Sequence, residues 1–171
     1  MKRTLTAVAV TASLIASGAF AFDPEDVKKL KKTNSCVACD LIGATLVKAE
    51  MNDANLSGAN LQRAYMSGAS LMQADMYLAN LSGADLSKVN LGGADLNEAD
   101  LTGANLSSTF MMHADLNGAD LRSSNMIYTT LTGADLSNAN LEGAVLNNVS
   151  MKGVILCNTT MPDGSVVYSG C

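Results

Sequence analysis

Residues 79–106 read ANLSGADLSKVNLGGADLNEADLTGANL, and within them Leu81, Leu86, Leu91, Leu96, Leu101 and Leu106 recur every five positions. Followed outward, the same step from Leu41 to Met161 meets only Leu or Met, at 25 successive positions, 18 Leu and 7 Met. Two residues before each centre stands Ala in 17 of the 25 cases, and the residue between is usually Asp, Asn, Ser or Thr. A step of five turns a side chain by about 140° around an α-helix, which smears the Leu instead of forming a stripe. On a continuous strand an odd step sends alternate Leu to opposite faces. The period therefore predicts a short extended piece and a bend every five residues, with Ala and Leu inward, the polar residue between them outward, and the next two residues turning the corner.

The A-(D/N)-L-x-x pattern, as in Ala59-Asn60-Leu61 and Ala84-Asp85-Leu86-Ser87, resembles the pentapeptide-repeat family over about residues 37–161. The resemblance implies an all-β solenoid: a right-handed quadrilateral β-helix with four pentapeptides per coil and about six coils, about 30 Å long at a strand spacing of about 4.8 Å. Its interior would be a ladder of stacked centres, for example Leu61, Leu81, Leu101, Leu121 and Leu141, with each coil burying its neighbour's apolar edge.

The flanks read differently. Lys2 and Arg3, the apolar run from Leu5 to Ile15 and Ala19-Phe20-Ala21 have the form of a signal peptide, cleaved after Ala21. The run is too short and too rich in Thr and Ser to span a bilayer, which needs about 20 apolar residues. The expectation is an exported protein, periplasmic or secreted, with no membrane insertion after cleavage. Residues 22–36 form a helical cap: Asp23 as N-cap, Pro24 in the first turn, Glu25 and Asp26 near the positive end, Phe22 stapled to Val27, and Lys28, Lys29, Lys31 and Lys32 towards the negative end. Val27 and Leu30 are expected on the first coil. Residues 162–171 form a C-terminal cap, in which Pro162-Asp163-Gly164 turns the chain and Ser165 to Tyr168 return as a short strand.

Four Cys stand at positions 36, 39, 157 and 171. In the rod that the resemblance implies, the two pairs lie near opposite ends, beyond disulfide reach of one another, which leaves Cys36 with Cys39 and Cys157 with Cys171. Exported relatives similarly carry Cys-x-x-Cys-Asp-Leu before the repeats and Pro-Asp-Gly…Cys after them. A Cys-x-x-Cys also serves redox chemistry or half of a zinc site, so a thiol-redox or metal-binding envelope protein is one alternative reading.

With 16% charged residues the chain is not a typical disordered tail, and its net charge of −5 argues against binding nucleic acid or anionic lipid. Without residues 1–21 it holds 9 basic and 16 acidic side chains, a net charge of −7. Grouped by twenty, one side shows Asn55, Asp75, Asp95, Asp115 and Asp135. These carboxylates either hold a divalent cation or accept hydrogen bonds from the adjoining bends, and no metal site is assigned. A second side carries Ala49, Ala69, Val89, Thr109, Thr129 and Val149 two before the centre. Its β-branched residues predict the longest strands there.

Outward Phe110, Met112, Ile127 and Tyr128 break the polar surface and are the candidate partner-binding residues, with Met72, Tyr65 and Tyr77 added around them. His113 is the sole His. No nucleophile motif or phosphate-cradling loop accompanies it, so no catalytic residue and no cofactor is assigned. The function expected is a non-catalytic exported scaffold or protein-interaction module, monomer or weak dimer, with an unidentified protein partner. The resemblance supplies another alternative, since some pentapeptide-repeat proteins mimic DNA and bind gyrase as dimers.

Overall fold

In a computed structural model the structure describes residues 22–171; the expected signal peptide, 1–21, lies outside them. From Ser35 onward the chain is a succession of single-residue parallel bridges, each joining residues twenty apart: Ser35 to Asn55, Asp40 to Asn60, Thr45 to Tyr65, Glu50 to Ser70, and onward to Asn140 with Thr160. Twenty residues thus make one circuit, and four columns of bridged residues run along the molecule. We call them the Asp40, Tyr65, Phe110 and Asp95 sides, in chain order.

Why five residues make one side follows from the backbone hydrogen bonds. Leu61 N–H donates to Asn80 O one circuit on (2.7 Å), Arg63 N–H donates to Ser82 O (2.9 Å), and Asn60 N–H donates back to Cys39 O (2.9 Å). Ala64 N–H closes a β-turn onto Leu61 O (3.0 Å). The remaining N–H, on Gln62, donates to the Asn60 side chain, Oδ1 (3.3 Å). All five donors are satisfied, and the last explains the Asp or Asn before most centres: its carboxylate or amide oxygen accepts from the N–H two residues on, from Asp40 with Ile42 to Asn140 with Glu142.

The second corner residue of every such turn has positive φ, the mark of a type II turn. Gly fills ten of these slots between Gly43 and Gly153, and side chains as large as Leu78 (φ 55°) and Tyr128 (φ 60°) occupy others. A turn at every side also overturns the expectation of longer strands where the interior is β-branched. On the Phe110 side, Ser70 to Asn90, Asn90 to Phe110 and Phe110 to Thr130 are single bridges like those elsewhere. Val89, Thr109 and Thr129 change what fills the interior, while the turn fixes the length.

That interior is continuous. Leu61, Leu81, Leu101, Leu121 and Leu141 are fully buried, as are the Ala beside them. Thr109 and Thr129, also buried, donate their hydroxyls to the turn carbonyls of Leu86 and Leu106 (both 2.7 Å), which removes the cost of an unpaired buried oxygen.

At the start of the described chain lies α1 (Pro24–Thr33). Asp23 caps it, accepting from Glu25 N–H (2.9 Å), and Asn34 in the left-handed region ends it. Val27 and Leu30 are buried in the same core as the first Leu, and Asp23 N–H donates to Asp40 O (3.1 Å). At the other end β1 (Leu156–Thr160) pairs antiparallel with β2 (Val166–Ser169), through a turn at Met161–Gly164. The returning strand thus begins and ends one residue later than Ser165–Tyr168. Among the described residues no helix is long and apolar enough to cross a membrane.

Candidate functional site

The corner geometry sorts the outward side chains. Phe110 stands at the bridge position of its side and Met112 at the following corner. Ile127 and Tyr128 form the preceding corner one circuit later, where Ser108 N–H donates to Ile127 O (2.8 Å). Phe110, Met112 and Tyr128 are 51%, 44% and 63% exposed. Ile127 is half-buried, so it supports the cluster more than it presents a surface. Met72 lies in the same column as Met112, two circuits away, through Gly92. Tyr65 belongs to the next side and Tyr77 to the corner beyond the Asp95 side, so neither joins the cluster. Further exposed apolar residues of the repeats, Val37, Val47, Leu78, Val145 and Ile155, are not among those the sequence singled out. Position relative to the centre places them outward, Val37, Val47 and Leu78 at corners and Val145 and Ile155 at bridge positions.

Carboxylates at bridge positions are concentrated on two of the sides. Asp75, Asp95, Asp115 and Asp135 bridge in succession on one, and Asp40, Asp100 and Asp120 stand on the next. The Phe110 side carries Glu50 in its first circuit and no carboxylate at its bridge positions from Ser70 through Asn90, Phe110 and Thr130 to Ser150, and the Tyr65 side carries Asp85. Protein interfaces lose charge and gain aromatic and Met groups at their centres, and the stretch of this side around Phe110, Met112 and Tyr128 has that composition.

The aspartate column serves the backbone. Asp75 Oδ1 accepts from Ser57 Oγ (2.6 Å) and Tyr77 N–H (3.2 Å). Asp95 accepts from Asn97, Asp115 from Asn117 N–H and Asp135 from Ser137 N–H. Asp120 is held differently: Arg122 grips it through Nε (2.9 and 3.0 Å) and Nη2 (2.5 Å), and that hydrogen bonding holds its carboxyl below the usual carboxylate range.

Cys36 bonds to Cys39 and Cys157 to Cys171, the pairing expected. The first bridge spans the opening turn of the ladder, where Cys39 N–H donates to Cys36 O (3.3 Å) and Ala38 has φ 53°. Both residues are buried beneath α1, with Lys29 Nζ 3.7 Å from Cys39 Sγ. An Asp26 oxygen and both sulfurs lie within 4.8 Å of one another. Zinc takes thiolates, which a disulfide withholds, and thiol exchange needs an accessible sulfur. His113 lies across Gly133 at an outer corner, away from the sulfurs in chain and circuit.

Pentapeptide repeats, in eight copies, are matched over residues 35–76, 79–118, 113–143 and 124–161. The chain belongs to the pentapeptide-repeat family. Among solved structures it is similar to HetL of the cyanobacterium Nostoc sp. strain PCC 7120, a pentapeptide-repeat protein involved in heterocyst differentiation regulation, with 34% identity and a TM-score of 0.54. That match covers 78% of this chain and 64% of HetL, so the chain spans just under two thirds of that relative. A trypsin-treated variant of QnrB1, a plasmid-mediated fluoroquinolone resistance protein, is 18% identical with a TM-score of 0.57, covering 80% of this chain and 79% of QnrB1. At that identity the likeness concerns the fold alone. A comparison with curated proteins found no match.

Proposed function

We propose that this protein is a non-catalytic, exported scaffold: a right-handed quadrilateral β-helix of about six coils, capped by α1 and the C-terminal hairpin, that engages a protein partner through its Phe110 side. The observation that carries the reading is the exposure of Phe110, Met112 and Tyr128 together on a side whose bridge positions from Ser70 to Ser150 lack carboxylates, while columns of acids occupy the Asp95 and Asp40 sides. A rigid array of bridged turns presents such groups at little entropic cost on binding. The buried Cys36–Cys39 cystine and the locally bonded carboxylates support a structural role for the groups that would otherwise suggest redox or metal chemistry. Export rests on the form of residues 1–21. Affinity capture from the envelope fraction tests the reading, with wild type set against a Phe110→Ser, Met112→Ser, Tyr128→Ser variant. A partner retained by wild type and lost by the variant is expected, and identical capture profiles would discard the surface.

The bridged Asp75, Asp95, Asp115 and Asp135 favour a second reading, a DNA-like rod that inhibits or protects a DNA-binding enzyme such as gyrase. It requires a protein retained in the cytoplasm. Cell fractionation separates the two, because uncleaved cytoplasmic protein would favour mimicry and cleaved envelope protein the scaffold.

A further inference from the structure

The Phe110 side differs from the rest of the molecule in charge as well as in apolarity. Without residues 1–21 the chain has a net charge of −7, yet from Ser67 to Gly153 neither the bridge positions of this side nor its two corners hold a carboxylate. The corner before it carries Lys88, and the corner after it carries His113 and Lys152. Lys88 and Lys152 are exposed, and among the described residues neither forms an ion pair, whereas Glu25 holds Lys28 and Asp120 holds Arg122. Lys48 stands at the corner of Lys88, but Glu50 and Asp53 share its circuit and offset it.

The ladder sets the spacing of the two lysines. Lys88 N–H donates to Ser107 O (3.0 Å), Ser108 N–H to Ile127 O (2.8 Å) and Tyr128 N–H to Asn147 O (2.9 Å). Lys88 therefore stands three circuits before the stretch of this side that ends in Lys152, about 14 Å along the rod at about 4.8 Å per circuit. Phe110, Met112 and Tyr128 lie in the circuits between. The backbone at the bridge position is already engaged, since Phe110 N–H donates to Val89 O (2.9 Å) and Phe110 O accepts from Leu91 N–H (2.7 Å). Strand addition has no free edge here, and side chains alone meet a partner.

The flanking sides limit what that partner is. Asp75, Asp95, Asp115 and Asp135 line the side beyond the Met112 corner, and Asp85 stands on the Tyr65 side. A broad polyanion, such as a nucleic-acid duplex or an anionic bilayer, would meet those carboxylates as well and be repelled. A single extended segment keeps to one side.

We propose that the partner presents to the Phe110 side a polypeptide segment with carboxylates at both ends and apolar side chains between, lying along the rod from Lys88 to Lys152 over Phe110, Met112 and Tyr128. At about 3.3 Å per extended residue its acids stand about four or five positions apart. The proposal rests on the reading of this side as the partner surface and adds the chemistry of what it takes. Charge pairing at the two ends fixes register and speeds encounter, while the apolar centre holds the segment.

A random peptide library displayed on phage, panned against the purified protein, tests this, with the selected peptides synthesised and their affinities read by fluorescence anisotropy. Panning is repeated on the Phe110→Ser, Met112→Ser, Tyr128→Ser variant and on a Lys88→Glu, Lys152→Glu variant. Both lysines are exposed, and Glu98 already occupies a left-handed corner (φ 56°) like that of Lys88 (φ 58°), so the charge reversal keeps the fold. Wild type should enrich peptides with Asp or Glu about four or five positions apart around apolar residues. These should bind the charge-reversed variant at least about tenfold more weakly and fail to bind the triple variant, and the charge-reversed variant should itself select Lys or Arg at the same positions. Peptides that the triple variant loses but that lack paired acids, or that ignore the charge reversal, would overturn the acidic segment and leave the partner surface standing. If wild type enriches no peptides that the triple variant loses, both fall.

Discussion

The imidazole of His113 lies across the backbone of Gly133, one circuit on, so closely that a Cβ there would come within 2.5 Å of Nδ1. The pairing recurs: Glu98 covers Gly118 with Oε1 2.8 Å from the same point, Gln73 covers Gly93, and Lys48 and Arg63 stand over Gly68 and Gly83. A long side chain at the second corner position thus leans on a Gly twenty residues later. Gly133 also has φ 70°, so Gly133→Ala adds backbone strain of about 1–2 kcal/mol to the clash. Gly103 has φ 65° with nothing within 4 Å of its missing Cβ, and Gly103→Ala should carry the strain alone. Chemical denaturation should show Gly133→Ala as the more damaging, with the excess removed in a His113→Ala background. Equal losses would mean that the imidazole simply moves aside.

Ser124 holds the interior slot that Ala fills in Ala64, Ala84 and Ala104 on the same side. Its hydroxyl is buried with no hydrogen-bond partner among the described residues. Ser124→Ala should therefore stabilise the protein by about 1 kcal/mol. Thr129 is the counter-case, because its hydroxyl donates to Leu106 O and its methyl packs in the core. Thr129→Ala should destabilise, by loss of both. Melting temperatures moving in opposite directions would confirm the contrast, and a loss in Ser124→Ala would refute it.

The five-residue step made the inward positions legible, since Leu, Met and Ala occur where only burial explains them. The left-handed corner was also written there, in Gly from Gly43 to Gly153, yet Lys, Gln, Leu and Tyr at other corners masked it. β-branching on the Phe110 side pointed to longer strands because propensity is local, whereas the turn that ends each side is set by hydrogen bonds to the neighbouring circuit. The candidate surface was half legible. Phe110, Met112 and Tyr128 follow from outward positions, but Ile127 is sheltered by neighbours that no periodicity reveals.

Asp115 tests why acids and amides precede the centres. If its task is to accept from Asn117 N–H (3.1 Å), Asp115→Asn should leave stability nearly unchanged, or raise it by relieving repulsion from Asp95 and Asp135. Asp115→Ala should cost about 1 kcal/mol by stranding that N–H. Calcium should shift neither melting temperature. A calcium-dependent rise abolished by Asp115→Asn would instead establish cation binding along the column.

Asp120 gives the pH dependence. Arg122 lowers its carboxyl pKa in the folded protein, with hydrogen bonding the leading cause. A depressed folded pKa stabilises above the unfolded value, and that contribution is lost as pH falls through the folded value. The pair is partly solvated, so the effect is small. Melting of wild type against Asp120→Asn should show wild type ahead at neutral pH and the two curves converging below the ordinary carboxylate range. A gap that persists in acid would assign the stabilisation to the Asx contact with Arg122 N–H (3.1 Å), which an amide also provides, and not to charge.

The Cys157–Cys171 bridge closes a separation of 14 residues and fastens β2 onto β1. In the chain-entropy model a loop of about 15 residues is worth about 3 kcal/mol, and here the contribution is confined to one end of a solenoid whose circuits touch only their neighbours. Cys157→Ser with Cys171→Ser should therefore speed amide exchange across Leu156–Ser169 while the circuits around Leu81 and Leu101 keep their protection. The buried Cys36–Cys39 bridge should resist mild reduction longer than this one, since Cys171 is exposed and a thiolate can reach it. Uniform loss of protection along the whole rod would show instead that the hairpin holds every circuit in one cooperative unit.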